Sequence, residues 1–278
     1  MHFQAYWENK VVLITGGSSG IGLAAAKLLA ASGAHLWLTA RRADVLESAR
    51  QQVDLVRAAN APPCGVFAAD VSDSAKAAET VQHVQRQAGR LDVVINSAGI
   101  TLPGYFQDLP LEEFQKQMAV NYFGTLYIIR AALPEMLARG SGHLINISSM
   151  AGFLGVFGYS AYGASKFAVT GLSEVLRAEL KPRGIRVSVA FPPDTDTPQL
   201  AFEAPYKPPE TRALSGTARA LSAETVARSI LEQAARGHFM IFPGFDSRLF
   251  YILSTKLPKW MVFAVLDRIA ANGRKEVH

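Results

Sequence analysis

VVLITGGSSGIG, Val11 to Gly22, decides how this chain folds. Five strand-like residues run straight into a glycine-rich turn, and an alanine-rich helical run follows as far as Gly33. Glycine at a strand-to-helix junction permits positive φ, close backbone approach to a pyrophosphate and tight helix–sheet packing. A helix N-terminus adds free N–H groups and a positive dipole end. The spacing of Gly16, Gly20 and Gly22 is G-x-x-x-G-x-G, which departs from the usual G-x-G-x-x-G of dinucleotide sites. Position outweighs spacing, because the turn follows the first strand and opens the first helix. Gly16, Ser18, Ser19, Gly20, Ile21 and Gly22 are therefore read as a dinucleotide cradle, the alternative being a plain tight turn.

Working outward, strand and helix signals alternate. HLWLTA (35–40), GVFAAD (65–70), VVIN (93–96), HLINIS (143–148) and RVSVAF (186–191) are short apolar runs, with helices expected between them, among others over 44–59 and 73–88. Continuous apolar strands fit a parallel sheet covered on both faces. Repeated βαβ units imply right-handed crossovers. The expected fold class is α/β: a doubly wound, three-layer parallel sheet of Rossmann type, as one domain over residues 1–278.

The net charge of +5 comes from dispersed Lys and Arg, which argues against a nucleic-acid partner. Cys64 is the single cysteine, so no internal disulfide can form and a reducing, cytoplasmic compartment is expected. The histidines at 2, 35, 83, 143, 238 and 278 lack ligand spacing, and no metal is expected. The N-terminus lacks the apolar run of a signal peptide. LFYILSTKLPKWMVFAVL (249–266) is strongly apolar, but Lys256, Pro258 and Lys259 interrupt it, and a span needs about 20 apolar residues.

After the second strand, where an acid would hold a ribose 2′-hydroxyl, the chain carries Arg41 and Arg42. Guanidinium groups can hold a 2′-phosphate through paired charge-assisted bonds, so the expected cofactor is NADP(H). The alternative is a pair of solvated surface charges.

The chemistry-bearing stretch is SSMAGFLGVFGYSAYGASK, Ser148 to Lys166. Tyr162 and Lys166 are four apart and share a helix face, while Ser149 ends a predicted strand. Reducing a ketone needs a hydride on carbon and a proton on the developing alkoxide. A phenol with a pKa of about 10 is a poor acid at neutral pH, and a neighbouring ammonium favours its ionised form. A shift of about three units takes roughly 4 kcal/mol. The Ser149 hydroxyl can hold the substrate oxygen in line. The alternative is an ordinary amphipathic helix.

Taken together, TGGSSGIG (15–22), Asp70–Val71, NSAG (96–99), Asn121, Ser149 and YGASK (162–166) resemble the short-chain dehydrogenase/reductase family across most of the first two hundred residues. The resemblance implies that Asp70 and Val71 flank the adenine, and that Asn96, Ala98 and Gly99 line the cofactor cleft. It implies a water-mediated proton relay from Asn121 to Lys166, whose ammonium also holds the nicotinamide ribose. It favours Ser149 over Ser148 as the catalytic hydroxyl. It further implies that the segment after the sixth strand, with Pro192, Thr195 and Thr197, clamps the nicotinamide, Thr197 on its carboxamide. Here the family's glycine in that segment is replaced by Pro193. A homodimer or homotetramer through helices around 111–139 and 162–181 is implied as well.

PPDTDTP (192–198) and KPPETRALS (207–215) narrow the resemblance to a branch acting on a long-chain lipid with an amine beside its ketone. Asp194 or Asp196 is then expected to face the ammonium, the alternative being Asx-turns that shape the loop. Residues 194–221 would form a substrate lid. The apolar segment 245–270 would touch a membrane peripherally, on its cytoplasmic face, or pack internally as a helix pair. Rival readings are a reductase of a 3-oxoacyl thioester or steroid-like ketone, and a non-catalytic NADP-binding sensor.

Overall fold

The computed structural model describes residues 3–215 and 220–275; residues 216–219 of the expected lid, together with His2 and His278, lie outside the described residues. A short helix α1 (Phe3–Trp7) precedes β1 (Val11–Thr15), α2 (Gly20–Ala31), β2 (His35–Ala40), α3 (Ala43–Asp54), β3 (Gly65–Ala68) and α4 (Ser74–Ala88). The second half begins with β4 (Val93–Asn96), α5 (Leu111–Met118), α6 (Gly124–Arg139), β5 (Gly142–Ile147), α7 (Ser160–Leu180) and β6 (Ile185–Ala190). Then come β7 (Thr195–Asp196), α8 (Pro198–Glu203), α9 (Pro209–Ser215), β8 (Leu221–Ser222), α10 (Ala223–Ala235), β9 (Met240–Ile241), α11 (Phe245–Lys256) and α12 (Lys259–Lys275).

Among the described residues the main sheet has seven strands in the order β3-β2-β1-β4-β5-β6-β9. All its pairings are parallel. Period-two alternation splits β1 between two cores. Val12 and Ile14 pack with Leu29 of α2 and Ile230 of α10, while Val11 and Leu13 pack with Val81 of α4 and Ile129 of α6. Helices thus cover both faces, which is why these strands read as unbroken apolar runs. The order reverses beside β1, where Thr15 registers with Asn96 of β4 on one side and Thr39 of β2 on the other. In such sheets the crevice outside the strand C-termini at this reversal is the ligand site.

Three differences from the sequence reading have local causes. The third helix stops at Asp54 rather than continuing to 59, because the Asp54 carboxylate accepts the Cys64 N–H at 2.8 Å and draws the chain toward β3. The seventh strand, β9, has two residues, too few for any periodicity to show. The segment after β6 also builds a second, two-stranded parallel ladder, β7 with β8.

Candidate active site

A cleft of about 940 Å³ opens over the C-terminal ends of the strands. Gly16, Ser18, Ser19, Gly20 and Ile21 form one wall. Gly16 has φ +65°, and a Cβ there would lie 2.8 Å from the Ala98 backbone. Gly22 is not in the wall. A Cβ on it would come within 2.4 Å of the Gly16 carbonyl oxygen, so its part is to let α2 close against the turn. Ser19 caps α2 without a side-chain hydrogen bond, leaving the first-turn N–H groups for an anion. The Thr15 hydroxyl oxygen accepts from Ser97 N and Ala98 N, both at 3.1 Å, and so pins the end of β4 to this turn.

Arg41 and Arg42 stand exposed at the far end of the cleft, and neither makes an ion pair among the described residues. Asp70 and Val71 line the same end, where the Asp70 carboxylate accepts from Ser72 N and Oγ at 2.9 and 2.7 Å. Ala98 and Gly99 line the middle, but Asn96 does not. It sits 2 % exposed beneath the floor, donating to Asn146 Oδ1 at 2.9 Å, because side chains alternate along β4 and its own leaves on the face of Val94, which α4 and α6 cover.

The residues read as chemical converge. Ser149, Tyr162 and Lys166 all line the cleft. Ser148 lies deeper: its hydroxyl donates to the Lys166 carbonyl at 3.0 Å and is 3.1 Å from Thr170 Oγ1. Lys166 is buried and donates to the Ile147 carbonyl at 2.9 Å, with Nζ 5.6 Å from the centroid of the Tyr162 ring. Burial lowers its pKa to about 8. The expected acidification of Tyr162 is not produced by the protein groups. Burial pushes the phenol up, the neighbouring Ser149 hydroxyl opposes this, and the Glu203 and Asp194 carboxylates push it further up.

Asn121 lies in a single π turn, Ala119–Phe123, between α5 and α6, the kind of irregularity often found at functional sites. Its amide nitrogen donates to the Ile100 carbonyl at 3.0 Å and to Ser165 Oγ at 2.9 Å, and its oxygen accepts from Ile100 N at 2.8 Å. Instead of lining the cleft, the side chain ties the loop after β4 to α7. Most of its side chain's hydrogen-bonding capacity is spent on protein.

Beyond β6, Pro192, Asp194, Thr195 and Thr197 line the cleft. The Thr197 hydroxyl oxygen caps α8 by accepting Leu200 N at 3.3 Å, and its side chain lies next to Gly20. Asp196 does not line the cleft; it is exposed on β7, because successive residues of a strand face opposite ways. Sequence reasoning missed Glu203, Lys207 and Tyr159. Glu203 and Lys207 are buried and paired at 3.1 Å, and Tyr159 donates to Glu203 at 3.1 Å. Their i, i+4 spacing was the available signal.

Segment 245–270 forms α11 and most of α12. Tyr251 stacks against Phe191, packs tilted on Phe242 and meets Phe153 edge-on, fastening α11 near the end of β6. Arg274 of α12 holds buried Glu210 of α9 at 2.9 Å. Phe245, Phe250, Leu266 and Ile269 reach the cleft wall, while Trp260, Phe263 and Val265 are exposed. Among the described residues no helix is long and apolar enough to cross a membrane.

Residues 10–205 match the family described as short chain dehydrogenase. The chain belongs to that family. As a short-chain dehydrogenase it is an oxidoreductase of a nicotinamide cofactor, and similar proteins narrow the class. It is 40% identical to the 3-ketodihydrosphingosine reductase of Bos taurus, across 88% of this chain and 73% of that protein. It is 37% identical to the enzyme of that name from Dictyostelium discoideum, across 95% and 83%. Among solved structures, this dehydrogenase is similar to levodione reductase, with a TM-score of 0.77 and 28% identity over 87% of this chain and 98% of that one. It is also similar to a short-chain dehydrogenase from Streptomyces avermitilis, with a TM-score of 0.79 and 29% identity over 97% and 99%.

Proposed function

We propose that this dehydrogenase reduces 3-ketodihydrosphingosine to sphinganine with NADPH. The carrying observation is one continuous cleft that joins the Ser149–Tyr162–Lys166 group to an apolar wall of Phe245, Phe250, Leu266 and Ile269. A ketone next to a long alkyl chain needs both in one space. The similarity to enzymes named for this substrate supports the same reading.

The glycine turn and the uncapped start of α2 fit a pyrophosphate, and the unpaired Arg41 and Arg42 fit a 2′-phosphate. When bound, NADPH supplies the hydride. Ser149 holds the ketone oxygen, and Tyr162 gives it a proton. Burial keeps the phenol protonated, which is the form that reduction consumes. Lys166, still mainly charged at neutral pH, offsets the phenolate left behind. Asn121 fixes the floor beneath these groups, and Pro192, Thr195 and Thr197 close the nicotinamide end. The test is NADPH oxidation by purified protein with 3-ketodihydrosphingosine, a 3-oxoacyl thioester and a steroid ketone. Turnover at least tenfold faster with the first supports the assignment, and comparable turnover on all three removes it.

Two associations belong to the same proposal. Exposed Phe245, Trp260, Phe263 and Val265 on α11 and α12, with Lys256, Lys259 and Arg268 among them, form a surface for collecting lipid at the cytoplasmic face of a membrane. Flotation with anionic liposomes should be lost in a W260S/F263S variant. Exposed Phe123 beside α6, with Phe167 and Val175 on α7, supports assembly through these helices into a dimer or tetramer, measurable by analytical ultracentrifugation.

A further inference from the structure

Glu203, the last residue of α8, is 6 % exposed and belongs to the cleft wall. Its Oε1 receives both the Tyr159 hydroxyl and Lys207 Nζ, each at 3.1 Å. No hydrogen bond reaches its Oε2 among the described residues. Lys207 Nζ also lies 3.8 Å from Asp194 Oδ2 and 3.4 Å from Ser215 Oγ. Two carboxylates thus surround one ammonium at the cleft, leaving a surplus of one negative charge. A buried pair built only for stability needs no second acid, and an apolar pair of similar volume would hold the fold as well.

The surplus lies beside the reacting group. The ring centroids of Tyr159 and Tyr162 are 5.7 Å apart, and both carboxylates act on the Tyr162 phenol. In an α-amino ketone the amine nitrogen stands about 3 Å from the carbonyl oxygen, through the same N–C–C=O linkage as a peptide unit. A ketone seated at Tyr162 therefore keeps its ammonium close to the phenol, within reach of the neighbouring Tyr159–Glu203 side.

We infer that Glu203, oriented by Tyr159 and Lys207 and backed by Asp194, is the residue that recognises the substrate's ammonium and selects amino ketones over plain ones. This rests on the amino-ketone reading above and replaces the exposed Asp196 as the selecting acid. Lys207 is a positioning residue: it holds one carboxylate oxygen and leaves the other for the incoming cation. Hydrogen bonds to charged groups contribute about 1.5–3 kcal/mol, or roughly 10–150-fold in discrimination.

The test compares kcat/KM for 3-ketodihydrosphingosine with that for the same ketone bearing hydrogen in place of the amine. Wild-type enzyme should favour the amino ketone by about tenfold or more, and E203Q should bring the ratio close to one. E203Q/K207M, which removes both buried charges together and spares Lys207 an unpaired burial, should do the same. Calorimetric binding of sphinganine against its deamino counterpart should lose its preference in parallel. A ratio that survives in E203Q/K207M, or equal losses on both ketones, overturns the inference while leaving the assigned reaction standing. A wild-type enzyme that reduces neither ketone removes the assigned reaction, and this inference with it.

Discussion

The two ends of the cleft handle charge in opposite ways. At the end proposed for the adenine nucleotide Arg41 and Arg42 stand exposed and unpaired among the described residues, whereas at and behind the end proposed for the lipid Glu203, Lys207 and Glu210 are buried and each holds an ion-pair partner. A phosphate carries its own charge into the site and rewards free cations. An alkyl chain rewards a wall whose charges are mostly neutralised before it arrives, because an unpaired buried charge is costly. On the proposed function, one cleft selects its two ligands by different means, with Tyr162 between the ends.

Four measurements put this contrast to the test. The largest effect is expected at the junction. Tyr162→Phe should cut kcat by about a thousandfold, within the usual range for a general acid, while titration shows NADPH still bound. Next, Arg41→Ala with Arg42→Ala should raise the KM for NADPH by about 100-fold, the loss of charge-assisted bonds. The KM for NADH should stay the same; a matching rise for NADH would mean that these arginines do not read the 2′-phosphate.

A smaller effect concerns pH. Lys166 has a folded pKa of about 8, below its ordinary 10.5. Its charged fraction falls as pH rises through 8, so kcat/KM should be about tenfold lower at pH 9 than the plateau below 8, with further loss above that. Between about 8 and 10.5 the unfolded chain binds more protons at this lysine than the folded one, so its contribution to stability rises with pH over that window. Activity and the Lys166 contribution to stability should move in opposite directions there. A level pH–rate profile to pH 9.5 would contradict the role given to its ammonium. The smallest effect belongs to the lipid end: Glu210→Gln weakens the contacts to Tyr105 and Arg274. It should cost about 1–2 kcal/mol, seen as a Tm lowered by a few degrees with NADPH affinity unaltered.

Legibility in the sequence follows the same division. The fold could be read because strands buried on both faces are apolar throughout, and because a glycine turn between strand and helix has few other uses. Tyr162 and Lys166 could be read because helical spacing brings i and i+4 together. The fate of Asn96 could not, since which way a side chain leaves the strand end depends on register with Asn146. Asn121 was legible as a position but not as a brace, because its partners, Ile100 and Ser165, lie far along the chain. The lipid end was the least legible. PPDTDTP offers two acids in alternation, and only pairing with β8 turns Asp196 outward while Asp194 meets Lys207. The Glu203–Lys207 spacing was visible as i, i+4, but only tertiary packing buries that pair and brings Arg274 to buried Glu210 from far along the chain.

The small ladder between β7 and β8 has a consequence for how this chain can vary. Thr195 pairs with Leu221 and Asp196 with Ser222, so the segment carrying α8 and α9 begins and ends at one clasp. Between the clasped ends, exposed positions away from Thr197 and from buried Glu203, Lys207 and Glu210 can change, and the loop can lengthen, at modest entropic cost, while Thr197 keeps its place beside Gly20. Substrate range can thus drift without retuning the nucleotide end.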